Sequence, residues 1–375
     1  MSGLNAKDEA SLLFCARGGL RLKLIYDRFL TSSGLDSPVS TSDLMVSRIV
    51  AVRVALSRGC PSAYEQIGYE MGSATLRDVA RAIGGTGVDL GDAANPMWDE
   101  LYSRAGLERL LTSPQGAAIR ASINWQSDLF REHLESCLGG RTRPILCDTG
   151  LSGSTMRLLE EAMPDLNWGC ALFARSNYKK LSASHFDRTV GLCVQSDRYS
   201  PLNRRSAILR YWHLIESTLE PDLTSVLMFE RENGVVRANL EVPGWRDKIA
   251  ASPGEVFTGI LDYIDALPRG DAAARIITDI DDAYSQLRRC VVWPTRADVN
   301  LLNIEPRSLD FGRVDSMTGL ACEPGIRKAL KGSLWREGAV ALAASGMRVP
   351  LLAGIESAYV LRWALQSIRN RPGLS

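Results

Sequence analysis

The sequence predicts an α/β protein: a mostly parallel sheet with a helical insert at about residues 61–138, followed by a helix-rich C-terminal region. Three observations predict it. Two stretches, starting at Ala10 and Pro144, each run from a short apolar segment through a glycine turn into apolar residues at helical spacing. Strand-like runs alternate with helical patterns up to about residue 200, as βαβ units do. Beyond that point the pattern changes to helices and one hairpin, so the chain is divided into 1–200, a core with its insert, and 201–375, expected to pack on that core.

Composition limits the function classes. With 375 residues, 45% hydrophobic and 23% charged, the chain can bury a sizeable core. Lys plus Arg (44) nearly balance Asp plus Glu (43), so no global field recruits nucleic acid or an anionic membrane. The eight cysteines are scattered without a C-x-x-C pair and read as reduced core thiols of a cytosolic protein. The N-terminus is too polar for a signal peptide and no run is long enough to span a membrane, so any membrane contact is expected to be peripheral.

In chain order, Ala10 to Ala16 is a strand candidate that runs into Arg17-Gly18-Gly19 and then a helix marked by Leu22, Ile25, Tyr26 and Phe29. Asp43 to Val50 is the next strand candidate, interrupted by Ser47-Arg48. Buried Arg needs a partner, either a phosphate at a strand end or a carboxylate at a helix start. The phosphate is preferred, because phosphate-loop candidates flank this segment. Ala63 to Ile83, Met97 to Leu111 and Gln115 to Leu138 read as helices of the insert, expected to form a cap beside the sheet, a natural place for acceptor recognition. Gly84-Gly85-Thr86-Gly87 follows a helix and reads as its C-cap and loop. On the last insert helix, Asn124, Trp125, Gln126 and His133 are expected to serve packing and surface.

The central stretch, Pro144 to Leu159, places Ile145-Leu146-Cys147 on a buried strand with Asp148 at its end. Thr149, Gly150, Ser152, Gly153, Ser154 and Thr155 follow, small and hydroxylated residues before a helix of Met156, Leu159 and Met163. Such a turn can surround a phosphate with free N–H groups and hydroxyls. It lacks the Lys of a Walker A loop and the spacing of G-x-G-x-x-G. Asn167 to Arg175 and Thr189 to Val194 read as further strands, Arg205 to Leu219 as a helix, and Thr224 to Glu230 with Val235 to Glu241 as a hairpin turning at Asn233-Gly234. Pro253 to Arg371 is largely helical; Asp279 and Asp281 within it form a D-x-D, read mainly as solvated surface. The histidines (133, 185, 213) are dispersed and no G-x-S-x-G occurs, which argues against hydrolase chemistry.

The Asp148 to Thr155 loop resembles the PRPP-binding loop of type I phosphoribosyltransferases, and Arg17-Gly18-Gly19 resembles their pyrophosphate loop, in the same chain order. The loop differs in carrying Thr149 at the second acidic position and in being about one residue shorter. The order of L-L-F-C-A-R-G-G-L, D-L-M-V-S-R, I-L-C-D-T-G-L-S-G-S-T, I-E-S-T-L-E (215–220), V-V-W-P-T-R (291–296) and S-L-W-R-E-G (333–338) is similar to the phosphoribosyltransferase-like modules of bacterial surface-polysaccharide loci. That resemblance implies a type I phosphoribosyltransferase-like (Rossmann-like) fold at the cytoplasmic face of the inner membrane. It further implies transfer of ribose 5-phosphate from PRPP to a glycan, lipid-linked or free, in O-antigen or capsule synthesis. A separate HAD-type phosphatase would then leave ribofuranose, since the chain lacks an opening D-x-D-x-T.

On this resemblance Arg17, Gly18 and Gly19 would hold the diphosphate, assisted by Ser47 and Arg48. Thr149, Gly150, Ser152, Gly153, Ser154 and Thr155 would hold the 5-phosphate side. Asp148 would contact the ribose or support its oxocarbenium-like charge, and Mg²⁺ would arrive on the diphosphate. Two alternatives stay open: a non-catalytic PRPP-binding regulator, and a sugar-nucleotide glycosyltransferase using Asp279 and Asp281.

Overall fold

The computed structural model describes residues 9–85, 87–91, 94–178, 180, 184–251, 255–302, 307–308, 316–317, 320, 326–344 and 346–369. Five strands, β1 (Ala10–Cys15), β2 (Ser40–Leu44), β3 (Arg143–Asp148), β4 (Gly169–Arg175) and β5 (Thr189–Gln195), form one sheet ordered β2-β1-β3-β4-β5. Every neighbouring pair is parallel. β1 reads as an unbroken apolar run because both of its faces are covered: Leu13, Phe14 and Cys15 are all buried. The polar β2 stands at an edge, where such residues belong.

Strand order determines where a ligand can sit. From β1 the chain passes through α1 (Gly18–Ser33) to β2 on one side, then returns through β3 to the other side of β1. The order reverses between β1 and β3, and the crevice outside the carboxyl ends of those two strands is the position where open α/β sheets bind ligands.

One correction concerns the first half. Asp43 to Val50 is not a strand: β2 stops at Leu44, and α2 (Arg48–Ser57) begins with Ser47 as its N-cap, Val50 N–H donating to Ser47 Oγ at 3.4 Å. A short helix buried on all sides looks like a buried strand in sequence, since neither leaves a polar face. The insert packs beside the sheet. Its helices α3 (Pro61–Met71), α4 (Leu76–Gly84), α5 (Arg104–Thr112) and α6 (Ala117–Leu138) share one apolar cluster with the sheet, in which Ile67, Ile83, Leu107, Ile123 and Phe130 join Leu13 and Leu146.

Local caps divide helices that apolar spacing alone would run together. Thr75 and Asp78 form a capping box that starts α4, Ser103 caps α5, and a 3₁₀ turn covers Pro96–Asp99. Arg204–Arg210 is likewise a 3₁₀ turn after the Asn203 cap, and α8 (His213–Leu219) follows it after α7 (Ser154–Ala162) has left β3. Gly85 ends α4 with φ +89°, the expected glycine terminus; Thr86 lies outside the described residues.

The hairpin forms between β6 (Phe229–Glu232) and β7 (Val235–Ala238), turning through Asn233 (φ 51°) and Gly234 (φ 81°). Its Phe229 and Ala238, with Leu223, Val226, Leu240 and Trp245, belong to the same apolar cluster as the sheet. Beyond it come α9 (Trp245–Ala250), α10 (Glu255–Asp265), α11 (Ala272–Val292), α12 (Arg296–Leu301), the short pair β8 (Arg307–Ser308) and β9 (Ser316–Met317), α13 (Ile326–Gly332), α14 (Arg336–Ala343) and α15 (Arg348–Arg369). On the second face of the sheet, Leu219, Phe257 and Leu261 pack on Leu22 and Ile25 of α1. Among the described residues no helix is long and apolar enough to cross a membrane.

Candidate functional site

Two adjoining recesses open at the carboxyl ends of β1, β2 and β3. The larger, about 400 Å³, is lined by Asp148, Gly150 and Ser152 to Thr155 on one side and by residues 197–199, 209–213 and Glu216 on the other. The smaller, about 70 Å³, is lined by Arg17, Gly18, Ser47, Thr149, Glu220 and Val226 among others. Arg48, Asp148, Gly150, Thr155 and Glu216 line both, so the two are halves of one site.

The turn after β3 is built for an anion. Gly153, at φ +60°, is the N-cap of α7 and offers no capping side chain, so the first-turn N–H groups of α7 face the recess with the Ser152, Ser154 and Thr155 hydroxyls beside them. The loop is pinned from behind. His185, fully buried, donates from Nε2 to the Ser152 carbonyl at 2.7 Å, and Ser176 N–H donates to the Leu151 carbonyl at 2.8 Å. Asp148 accepts at Oδ1 from Thr149 N–H at 2.7 Å and from the Thr149 hydroxyl at 3.4 Å.

The turn after β1 meets it closely. A Cβ on Gly18 would lie 2.7 Å from the Thr149 side chain, and one on Gly19 would lie 2.6 Å from the Cys147 carbonyl oxygen. Gly19 therefore serves close packing of α1 on β3 and does not line either recess. Arg17 sits at the mouth of the smaller recess, paired with Glu220 at 2.9 Å and donating to the Leu223 carbonyl at 3.2 Å. Arg48 pairs with Glu70 at 2.9 Å, so the carboxylate-at-a-helix-start arrangement is the one present, although Arg48 still lines both recesses. Ser47 donates to the Val226 carbonyl at 2.5 Å.

Thiol chemistry has no place here. Burial, with Asp148 nearby, pushes the Cys147 thiol up to about 12 and those of Cys15 and Cys170 well above their ordinary value. All three stay protonated at neutral pH, and none supplies a thiolate nucleophile. Burial also raises the Tyr178 phenol to about 12.

The opposite wall is where sequence reasoning saw least. Glu216 of α8 and Glu220, the residue that follows it, are visible in the sequence only as parts of I-E-S-T-L-E, and Tyr178, Asp197, Arg198 and Trp212 carry no signal. Arg210, itself part of this wall, is buried and paired with Glu337 and Glu356 from α14 and α15, which hold it from behind. Trp335 of S-L-W-R-E-G is fully buried and stacks on Tyr211, ring centroids 4.8 Å apart.

Eleven of the twelve residues singled out in the sequence line the two recesses, Gly19 being the exception. Residues of the insert do not line them among the described residues; Trp125 is exposed, Gln126 bonds the Phe229 backbone, and His133 accepts from Met45 N–H at 3.0 Å. Asp279 and Asp281 lie within α11 outside both recesses, Asp279 paired with Arg275 at 2.7 Å. Among the described residues no group of three or more His, Cys, Asp or Glu could hold a metal ion. No protein-family model matches the chain, and no curated protein matches it.

Proposed function

We propose that the protein is a PRPP-dependent glycan phosphoribosyltransferase on a type I phosphoribosyltransferase-like fold. It transfers ribose 5-phosphate to a saccharide acceptor of bacterial O-antigen or capsule synthesis, at the cytoplasmic face of the inner membrane. A separate HAD-type phosphatase then removes the phosphate to leave ribofuranose. The observation that carries this reading is the meeting of two glycine turns, about 130 residues apart in sequence, in two communicating recesses at the point where strand order reverses.

In this reading the α7 N-terminus with Ser152, Ser154 and Thr155 receives the 5-phosphate. Arg17, Gly18, Ser47 and Arg48 receive the diphosphate in the smaller recess. Breaking the C1–diphosphate bond separates charge, so fixed anion binders matter more than a nucleophile. Asp148, on the strand end between the two halves, lies where a cationic ribose ring would form. Mg²⁺ would come with the diphosphate and offset the charge of the leaving group. Asp148 lines the smaller recess and would supply an oxygen donor to that ion.

Calorimetric titration of the purified protein with PRPP, with and without Mg²⁺, tests the reading. Micromolar binding that falls about tenfold or more in Arg17→Ala and Asp148→Ala would support it, since each change removes a charged contact. Binding without diphosphate release under any acceptor would favour a regulator, and preference for a UDP-sugar would sink PRPP use.

A further inference from the structure

We infer that the wall of the larger recess that faces the 5-phosphate loop, made by residues 197–199 and 209–213, is the saccharide subsite and that Glu216 is the base that deprotonates the acceptor hydroxyl, with His213 positioning it. The inference rests on the PRPP reading of the two recesses and adds the half of the reaction that reading leaves unassigned.

Three observations carry it. Among the described residues, the carboxylates that line both recesses are Asp148 and Glu216, and they come from opposite walls, the β3 end and α8. Asp148 is turned towards its own loop through Thr149. Glu216 stands across the junction, its side chain a quarter exposed, with Oε2 3.1 Å from His213 Nδ1. Displacement at C1 requires the attacking oxygen to approach from the side opposite the leaving diphosphate. With the diphosphate in the smaller recess and the 5-phosphate on the loop after β3, the acceptor enters along the facing wall of the larger recess, and Glu216 lies where the two recesses meet.

The second observation is a fixed aromatic side chain: Trp212 lines the larger recess and is only 8% exposed, so packing holds its ring in place. Thirdly, the wall mixes aromatic faces with polar groups. Tyr178, half exposed, stands with Asp197, Arg198 and Trp212, a combination that packs on the C–H face of a sugar and bonds its hydroxyls.

The step balances as a substitution. The acceptor O–H proton passes to the Glu216 carboxylate, the acceptor oxygen forms a bond to C1, and the C1–O bond to diphosphate breaks with its electron pair leaving on diphosphate. His213, about a third exposed, holds the carboxylate from the larger-recess side.

The test uses the full chain with PRPP and Mg²⁺. Water and a panel of octyl hexopyranosides serve as probe acceptors, read by diphosphate release and by mass. PRPP affinity is measured separately by calorimetry. Glu216→Gln is expected to leave the PRPP Kd within about threefold and to lower kcat by about 10²-fold or more, the usual share of a general base. In Glu216→Ala, added formate should restore part of the rate by supplying a carboxylate, which a purely structural role would not allow. Full turnover in Glu216→Gln, or lost activity that formate does not restore in a variant still binding PRPP, overturns the assignment. So does PRPP that binds but turns over with no probe. Failure of the wild type to bind PRPP instead removes the parent reading, and the inference falls with it.

Discussion

Gly18 and Gly19 are adjacent and exist for different reasons. A methyl on Gly19 meets backbone, the Cys147 carbonyl at 2.6 Å and the Phe14 carbonyl carbon at 3.0 Å, neither of which can rotate away. Gly19→Ala should cost about 1–3 kcal/mol, measured by urea unfolding, as α1 is pushed off β3. A methyl on Gly18 meets only the Thr149 side chain. Gly18→Ala should therefore be destabilising alone and largely relieved in the Gly18→Ala, Thr149→Ala double variant; equal loss in both would show that the two loops do not touch as described. His133 gives a pH signature at the same scale. Burial lowers its pKa to about 4 from the ordinary 6.5, and its Nε2 must stay unprotonated to accept from Met45 N–H. Between those values the unfolded chain binds the proton that the fold refuses. The stabilisation is thus complete above pH 6.5 and is lost as pH falls to about 4, a change of about 3 kcal/mol. The urea midpoint should fall more steeply over this window in the wild type than in His133→Gln. Met45 leads into Ser47 and Arg48, so the site's edge is expected to loosen with it.

At the scale of elements, two buried arginines close helix ends. Arg53 of α2 donates to the carbonyls of Ala82 (2.9 Å) and Ile83 (2.6 Å) at the end of α4, and to that of Leu227. Arg21 of α1 does the same for Thr218 (2.8 Å) near the end of α8 and for Ile249 (3.2 Å) and Ala251 (2.6 Å) around the end of α9, with its guanidinium 4.1 Å from the Phe257 ring centroid. Orphan carbonyls and the negative end of a helix dipole make a site for a cation without a carboxylate. Burial lowers both arginines to about 10, still charged at neutral pH. Arg53→Met should cost about 3 kcal/mol or more, because three carbonyls lose their donor inside the core. Arg21→Met should cost a similar amount and also displace α8, so PRPP affinity measured by calorimetry should fall with stability. These arginines fall on apolar-looking helices, and nothing local distinguishes them from surface residues that snorkel.

For the molecule as a whole, the sheet and the C-terminal region complete one another. Leu223, Val226, Phe229, Leu240 and Trp245 are each at most 7% exposed and lie in the cluster that contains the sheet's Leu13 and Leu146. A chain ended at residue 200 would lose that cover and the whole α8 wall. It should show no cooperative thermal transition by circular dichroism and should bind a hydrophobic dye; cooperative melting would show that residues 9–200 fold alone. The Arg210 network with Glu337 and Glu356, reinforced by the Tyr199 hydroxyl donating to Glu356 at 2.5 Å, ties α14 and α15 to the larger recess. Glu337→Gln leaves a buried cation short of a partner and should lower stability by several kcal/mol, about 3–5 if the pair is fully broken. Urea unfolding checks it.

The sequence by itself determined what short-range chemistry controls: the strand–turn–helix units after β1 and β3, the Asn233-Gly234 hairpin, the glycine end of α4 and the helical character beyond residue 253. Each depends on residues within a few positions of one another, where caps, turn geometry and apolar spacing act. Tertiary structure alone decided the rest. Strand order brought Arg17 and Thr155 to one site, and chain closure chose Glu220 and Glu70 as the partners of Arg17 and Arg48. It also placed Glu216 and Trp212 across from Asp148. A charge selects its partner by distance in space, and that distance is set only when the sheet is assembled and both faces are covered.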